Sequence, residues 1–434
     1  MIDTSSAQGI GKSTPASLLQ VVRLQVPLWV IAPLLGLMLA TGLGGGYLGA
    51  WLVYRSTNCP EAPEVCQEFG LFWDVWDKAS ADFVDAEAIV PQRMTEGAIN
   101  GMLDSLGDQG HTRFLSAEDA RRWDESLSGE FEGIGAYLDV RNGQGMVVAP
   151  IEGSPAEKAG LLPGDWIIKV DGQETQGWTI EELVSRIRGT RGSQVVLTIQ
   201  HPGEERIVDI AITRDRIEVP SVNWSMLPGD IALIRLDSFQ QRATEEMERA
   251  LNAARSQGAR RVILDLRNNQ GGFVYEAIGV ASHFLPEGTP VFLEEDRTGT
   301  RTVQETHEGG VALDIPMVVL INFGTASSAE IVSGALQDAQ RAQLVGVRTV
   351  GTGTVLMTYN LEGGAKLLLG TVQWLTPKGR LIRKQGIAPD IEVALPPGTR
   401  PLSPEEAASL TPEELLQSDD VQLVRALELA EVAK

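Results

Sequence analysis

The chain has 434 residues, 43% of them hydrophobic and 22% charged, with a net charge of −22. That length suits two or three domains around at least one large core, and an acidic balance without basic clusters excludes nucleic acid as a partner. With four histidines, two cysteines (Cys59 and Cys66) and no zinc-type spacing, neither a metal nor a cofactor is expected.

From Leu24 to Tyr54 no residue is charged, and Arg23 and Arg55 flank the run. About 20 apolar residues span a bilayer core. Trp29, Trp51 and Tyr54 sit near the ends as interfacial aromatics do. The alternative is a cleaved signal peptide with a weak site at Ala40-Thr41-Gly42, but the run is long for one. The expectation is a cytoplasmic N-terminus (1–23), one transmembrane anchor (24–54) and the bulk of the chain outside the cytoplasm. Lys12 and Arg23 before the run, and Glu61, Glu64 and Glu68 after it, set that orientation. In such a compartment Cys59 and Cys66 either close a small disulfide loop or stay free thiols.

Residues 55–129 read as a linker and a helical region. Phe69, Phe72, Trp73 and Trp76 recur at helical spacing and are taken as core aromatics. His111, in the turn Asp108–Leu115, is taken as structural.

Residues 130–215 form a β-rich unit. Gly133-Ile134-Gly135 precedes a strand at Met146–Ala149. Ser154-Pro155-Ala156-Glu157 is a capping box with proline at the first helical position. Strands at Trp166–Val170, Val195–Ile199 and Ile207–Ile212 surround a second capped helix that opens with Thr179 and Glu182. Consecutive N–H groups at Gly133, Ile134 and Gly135 could hold a chain terminus while an edge strand adds a peptide.

From 216 to 397 strands and helices alternate, which implies crossovers around a mostly parallel sheet. Strands are expected at Ile231–Leu236, Val262–Leu266, Met317–Ile321, Gln343–Gly346 and Lys366–Trp374. Residues 398–434 form a polar, then helical, tail that either packs or dangles.

Ser327 falls between a buried strand and a helix, where the free N–H groups of the helix start favour a developing oxyanion. The N–H of Ser328 would point into that site, and Gly271 and Gly272 could supply a second donor with the close backbone approach glycine allows. Equally, Ser327-Ser328-Ala329-Glu330 is itself a capping box that needs no catalytic role.

The run Gly324–Asp338, the run Leu264-Asp265-Leu266-Arg267-Asn268-Asn269 with Gly271-Gly272, Thr376–Arg380 and Gly386–Asp390 together resemble the carboxyl-terminal processing (tail-specific) serine peptidases. The similarity runs from about residue 68 to about residue 430. It implies an α/β core like that of crotonase and Clp-type peptidases with an inserted PDZ domain, and polypeptides with accessible C-terminal tails as ligands. Gly133-Ile134-Gly135 would be the carboxylate-binding loop.

Members of that family use a serine–lysine dyad, with the lysine 25 residues after the serine and a glutamine four residues further on. Here those positions are Thr352 and Leu356, inside Gly351-Thr352-Gly353-Thr354-Val355-Leu356. A threonine hydroxyl has almost no basicity at neutral pH, so it cannot take the serine proton as a desolvated lysine does. Three readings follow. The first is a tail-binding family member that is impaired or inactive, acting alone or in a homo- or hetero-oligomer with an active relative. The second is an active endopeptidase using Ser327 with a substitute base. The third is a structural membrane protein. Lys366, Lys378, Lys384, His283 and His307 are the candidate substitutes, each more simply read as a surface residue.

Overall fold

The structure is a computed structural model that describes residues 62–108 and 111–432. The chain divides into two compact units, Met1–Pro91 and Gln92–Lys434. In the first, the described part is chiefly one helix, Pro63–Asp82, started by proline and a first-turn Glu64. It buries none of its residues. Phe69, Phe72, Trp73 and Trp76 contact one another along it, and Phe69 and Trp73 are exposed. The expectation of core aromatics is therefore corrected. Spacing put these rings side by side along the helix, but none of the described residues of that unit buries them.

Cys66 is disulfide-bonded, and Cys59 lies outside the described residues. So does the apolar run 24–54. Among the described residues no helix is long and apolar enough to cross a membrane.

The second unit is built on a six-stranded sheet in the order 222–227, 231–236, 261–265, 317–321, 343–346, 391–392. Its first pair is antiparallel and the rest are parallel. Parallel strands buried on both faces read as continuous apolar runs, and Met317–Ile321 is buried at all five positions. Alternate side chains serve opposite faces. Ile234, Leu264, Val319 and Ile321 pack with the helices Ala243–Ser256, Val274–Ser282 and Ser328–Asp338. Leu233, Ile263, Val318 and Leu320 pack with Ala407, Leu415, Leu423 and Leu427. The C-terminal tail thus packs as a layer against the sheet.

A second sheet pairs the long strand Lys366–Leu375 with Arg113–Leu115, Pro290–Glu295 and Thr354–Asn360. The β-rich unit is an antiparallel sheet (136–141, 144–150, 166–170, 194–200, 207–213) with two helices, Pro155–Lys158 and Ile180–Ile187. Its core is Val147, Ile167, Leu183, Ile187, Leu197 and Ile199. Thr179 and Glu182 form a complete capping box. In the other cap, Ser154 accepts from the Glu157 N–H while Glu157 reaches back to Gly153.

Candidate active site

The parallel sheet ends at two turns that are stitched together. The Asn322 carboxamide oxygen accepts from the N–H groups of Asn268 and Gly324, both at 2.9 Å. Thr325 donates its hydroxyl to the Leu266 carbonyl at 2.8 Å, and the Ala326 N–H donates to Asn269 at 2.9 Å. These bonds deliver Ser327 to the rim at φ 52°, ψ −121°. That region is sparsely populated for a residue with a side chain and costs roughly 1–3 kcal/mol.

Glu330 offsets the strain. Its carboxylate is fully buried and accepts five hydrogen bonds. Oε1 takes the Thr349 hydroxyl (2.6 Å) and the Gly351 N–H (2.7 Å). Oε2 takes the N–H groups of Ser327 (2.9 Å) and Thr352 (3.0 Å) and the Thr352 hydroxyl (2.7 Å). The Glu330 N–H is taken by the Ser327 carbonyl, Ser327 and Glu330 stand as a capping box, and the Ser327 hydroxyl donates to nothing among the described residues.

The opposite wall is Gly271-Gly272. A Cβ on Gly271 would lie 2.7 Å from Ser327 Cβ and 2.9 Å from the Ser328 nitrogen. One on Gly272 would lie 2.2 Å from the Phe239 carbonyl oxygen. Both positions, at φ 98° and 146°, accept only glycine. Asn269 claims the Gly271 N–H at 2.8 Å, so Gly271 shapes the wall and offers no donor, contrary to expectation. The N–H groups of Gly272 and Ser328 donate to nothing among the described residues. The Ser328 hydroxyl is tied to the Gly272 carbonyl at 2.9 Å, which holds the two turns together.

Thr352, at the dyad lysine position, accepts the Ser327 N–H on its hydroxyl at 2.7 Å while donating to Glu330. It buttresses the backbone of the serine. Leu356, at the glutamine position, packs against the apolar group of Leu115, Ala120 and Leu368. Of the candidate substitute bases, Lys366 pairs with Asp124, and His283 turns Nε2 to the Thr244 carbonyl at 3.0 Å. Neither these nor Lys378, Lys384 or His307 line the cleft of about 730 Å³ around Ser327.

His111 does line it, together with Ser327, Gly272, Thr352 and Thr354. Sequence reasoning set this residue aside as structural. The only available signal was that a serine without lysine needs another base, in a chain with four histidines. Its Nδ1 lies 2.5 Å from the Thr354 hydroxyl, which in turn reaches Asp108 Oδ2 at 3.3 Å. Burial is the largest influence on the ring and pushes its pKa below the usual imidazole value, against the opposing pull of Asp108.

In the β-rich unit, Ile134 and Gly135 line a groove with Ala136, Leu138, Val184 and Ile187. Their N–H groups have no acceptor among the described residues. Gly133 instead pairs with Asp215 in a short ladder.

A strand–turn–helix serine among N–H groups that lack an acceptor, together with a β-rich unit that carries its own groove, fits a serine-peptidase scaffold with a recognition module. The comparisons agree. The model of peptidase family S41 matches residues 230–393, and that of the PDZ domain matches residues 146–201. The carboxy-terminal processing protease CtpA of Bacillus subtilis (strain 168) is 38% identical over 304 residues, covering 70% of this chain and 65% of that protein. The chain therefore spans a little under two thirds of that relative's length. A solved photosystem II D1 C-terminal processing protease is 28% identical, covering 75% of this chain and 94% of that one, with a TM-score of 0.43. The PDZ domain of a carboxy-terminal protease from Vibrio cholerae, solved with a peptide, is 31% identical, covering 21% of this chain and 99% of that one, with a TM-score of 0.20. Residues 230–393 are thus similar to peptidase family S41 and residues 146–201 to a PDZ domain, the pairing matched by the carboxy-terminal processing protease relative.

Proposed function

We propose that this protein captures polypeptide C-terminal tails in its PDZ groove and cleaves them slowly at Ser327, by a route that does not use a serine–lysine dyad. Ser327 is the nucleophile, and Gly272 and Ser328 supply the two oxyanion donors. The observation that carries the reading is the intact nucleophile turn. A strained serine shares its cleft with Gly272 and adjoins Ser328, whose N–H groups have no acceptor among the described residues, while the residue at the lysine position is bound into the backbone support. Strain of this kind is retained where the surroundings over-determine it, and it clusters at functional sites.

Losing a base typically costs a serine peptidase on the order of 10⁴–10⁶ in turnover, so rates below those of lysine-bearing relatives follow. The apolar run 24–54 anchors the protein, with the catalytic unit outside the cytoplasm. A homo-oligomer, or a complex with a lysine-bearing relative, is compatible with this arrangement.

The test is cleavage of an unfolded protein with an apolar C-terminus by the full chain in detergent, wild type beside Ser327→Ala. Slow cleavage by wild type alone supports the proposal. No cleavage by either, with tail binding intact, would leave a tail-binding scaffold and refute the catalytic part.

A further inference from the structure

Once lysine is gone, what takes the proton? Among the described residues, those lining the Ser327 cleft include no lysine, aspartate or glutamate, and two side chains with basic nitrogen, His111 and Arg113. A guanidinium stays protonated and cannot act as a base. Glu330 is close, but all its contacts are spent on backbone and threonine groups. Thr352 accepts the Ser327 N–H and donates to Glu330, and among the described residues no hydrogen bond joins it to the Ser327 hydroxyl through which a proton could be relayed.

The geometry points to His111 as the general base that replaces the missing lysine, held in the reactive tautomer by Thr354 and Asp108. This inference rests on the proposal that Ser327 is a working nucleophile.

Thr354 can donate its hydroxyl hydrogen to Asp108 Oδ2 (3.3 Å). Its oxygen then accepts from His111 Nδ1–H across 2.5 Å. That order fixes the proton on Nδ1 and leaves the Nε2 lone pair open. Among the described residues Nε2 has no hydrogen-bond partner, and it is not buried away from solvent as the unpartnered Nδ1 of His283 is. Asp108 is itself anchored by the Thr112 hydroxyl at 2.7 Å and faced by Arg383 at 3.5 Å. The charge of Glu330, which holds the Ser327 N–H, acts on the His111 ring. Burial keeps that ring neutral at pH 7, the form a base requires.

In the step, Ser327 Oγ bonds to the scissile carbonyl carbon and its proton passes to His111 Nε2. The carbonyl π pair moves to oxygen, between the N–H groups of Gly272 and Ser328. Collapse breaks the C–N bond, and the leaving amine takes the proton from Nε2. Water then attacks the acyl-enzyme, again giving a proton to Nε2, and the acyl oxygen of Ser327 recovers it as the acid product leaves.

The experiment uses the full chain in detergent with two probes, an internally quenched peptide ending in a free apolar C-terminus and a fluorophosphonate that labels activated serines. His111→Gln should lose about 100-fold or more of kcat/KM, label slowly and bind the peptide as wild type does. Added imidazole should restore part of the activity of His111→Ala. Wild type needs no variant: its kcat/KM should rise with pH through one inflection below 6.5 and then level. Wild-type rates in His111→Gln, or a wild-type profile flat from pH 5 to 8 or inflecting above 8, would overturn the base while leaving Ser327 as nucleophile. Wild type that neither cleaves nor labels would overturn that reading and the base with it.

Discussion

Replacing Glu330 with glutamine tests whether this carboxylate holds the nucleophile turn. An amide keeps a single acceptor oxygen, so its NH₂ must face donors that the carboxylate now satisfies. With the oxygen on the Ser327 side, the Gly351 N–H is orphaned; with the amide reversed, the N–H groups of Ser327 and Thr352 are orphaned together. Leaving one buried N–H unsatisfied costs about 1–3 kcal/mol. The surviving bonds also lose their charge assistance, roughly half of what each contributes. A total of about 3–6 kcal/mol follows. With a denaturant slope near 3 kcal/mol per molar, this lowers the urea midpoint of the core by about 1–2 M. Buried Trp374, which lines the cleft, reports that transition by fluorescence. Fluorophosphonate labelling of Ser327 should fall in parallel, because the serine relaxes toward an ordinary helix cap. An unchanged midpoint together with an unchanged labelling rate would refute the claim that Glu330 maintains the strain.

Thr352→Lys combined with Leu356→Gln should raise kcat/KM by about tenfold or more, since a desolvated lysine is a stronger base than the His111 imidazole; no gain would show that the site has diverged beyond these two positions. Asp420→Ala removes one partner of the fully buried Arg267 and should cost about 3–5 kcal/mol, read as a lower urea midpoint. His111 and His283 both have pKa values depressed by burial. Well above pH 6.5 they are neutral in the folded and unfolded chain alike and contribute no pH dependence. Below it the unfolded chain binds protons that the folded chain resists, so stability falls as pH drops from 7 toward 5. His283→Gln should flatten part of that decline in midpoints compared at pH 7.5 and 5.5.

The central sheet was legible because its strands are buried on both faces. Met317–Ile321 and Ile231–Leu236 read as short apolar runs between turns, and the structure gives them those bounds. Thr354–Asn360 was not legible as a strand, since it exposes Met357 and Tyr359 and lacks a continuous apolar signal. Ser327 was readable as a candidate from strand, turn and helix in succession. His111 was not, because its relation to Ser327 is made by the second sheet, which carries Thr354 across from Asp108, and linear order holds no trace of that distance. Gly271 misled for a local reason: glycine implies close approach, but only the neighbouring Asn269 side chain reveals that its N–H is already taken.

Arg267 lies just before Gly271 in the turn that faces Ser327, and it is entirely buried between Asp265 and Asp420. Asp420 is encoded 153 residues later, and it also accepts from the Leu402 and Leu423 N–H groups at 2.9 and 3.1 Å. During synthesis, the arginine therefore waits for its second counter-charge until the last layer of the sheet has been made. The site matures late, and a copy interrupted before residue 420 would carry every residue of the cleft and still lack the charge that sets one of its walls.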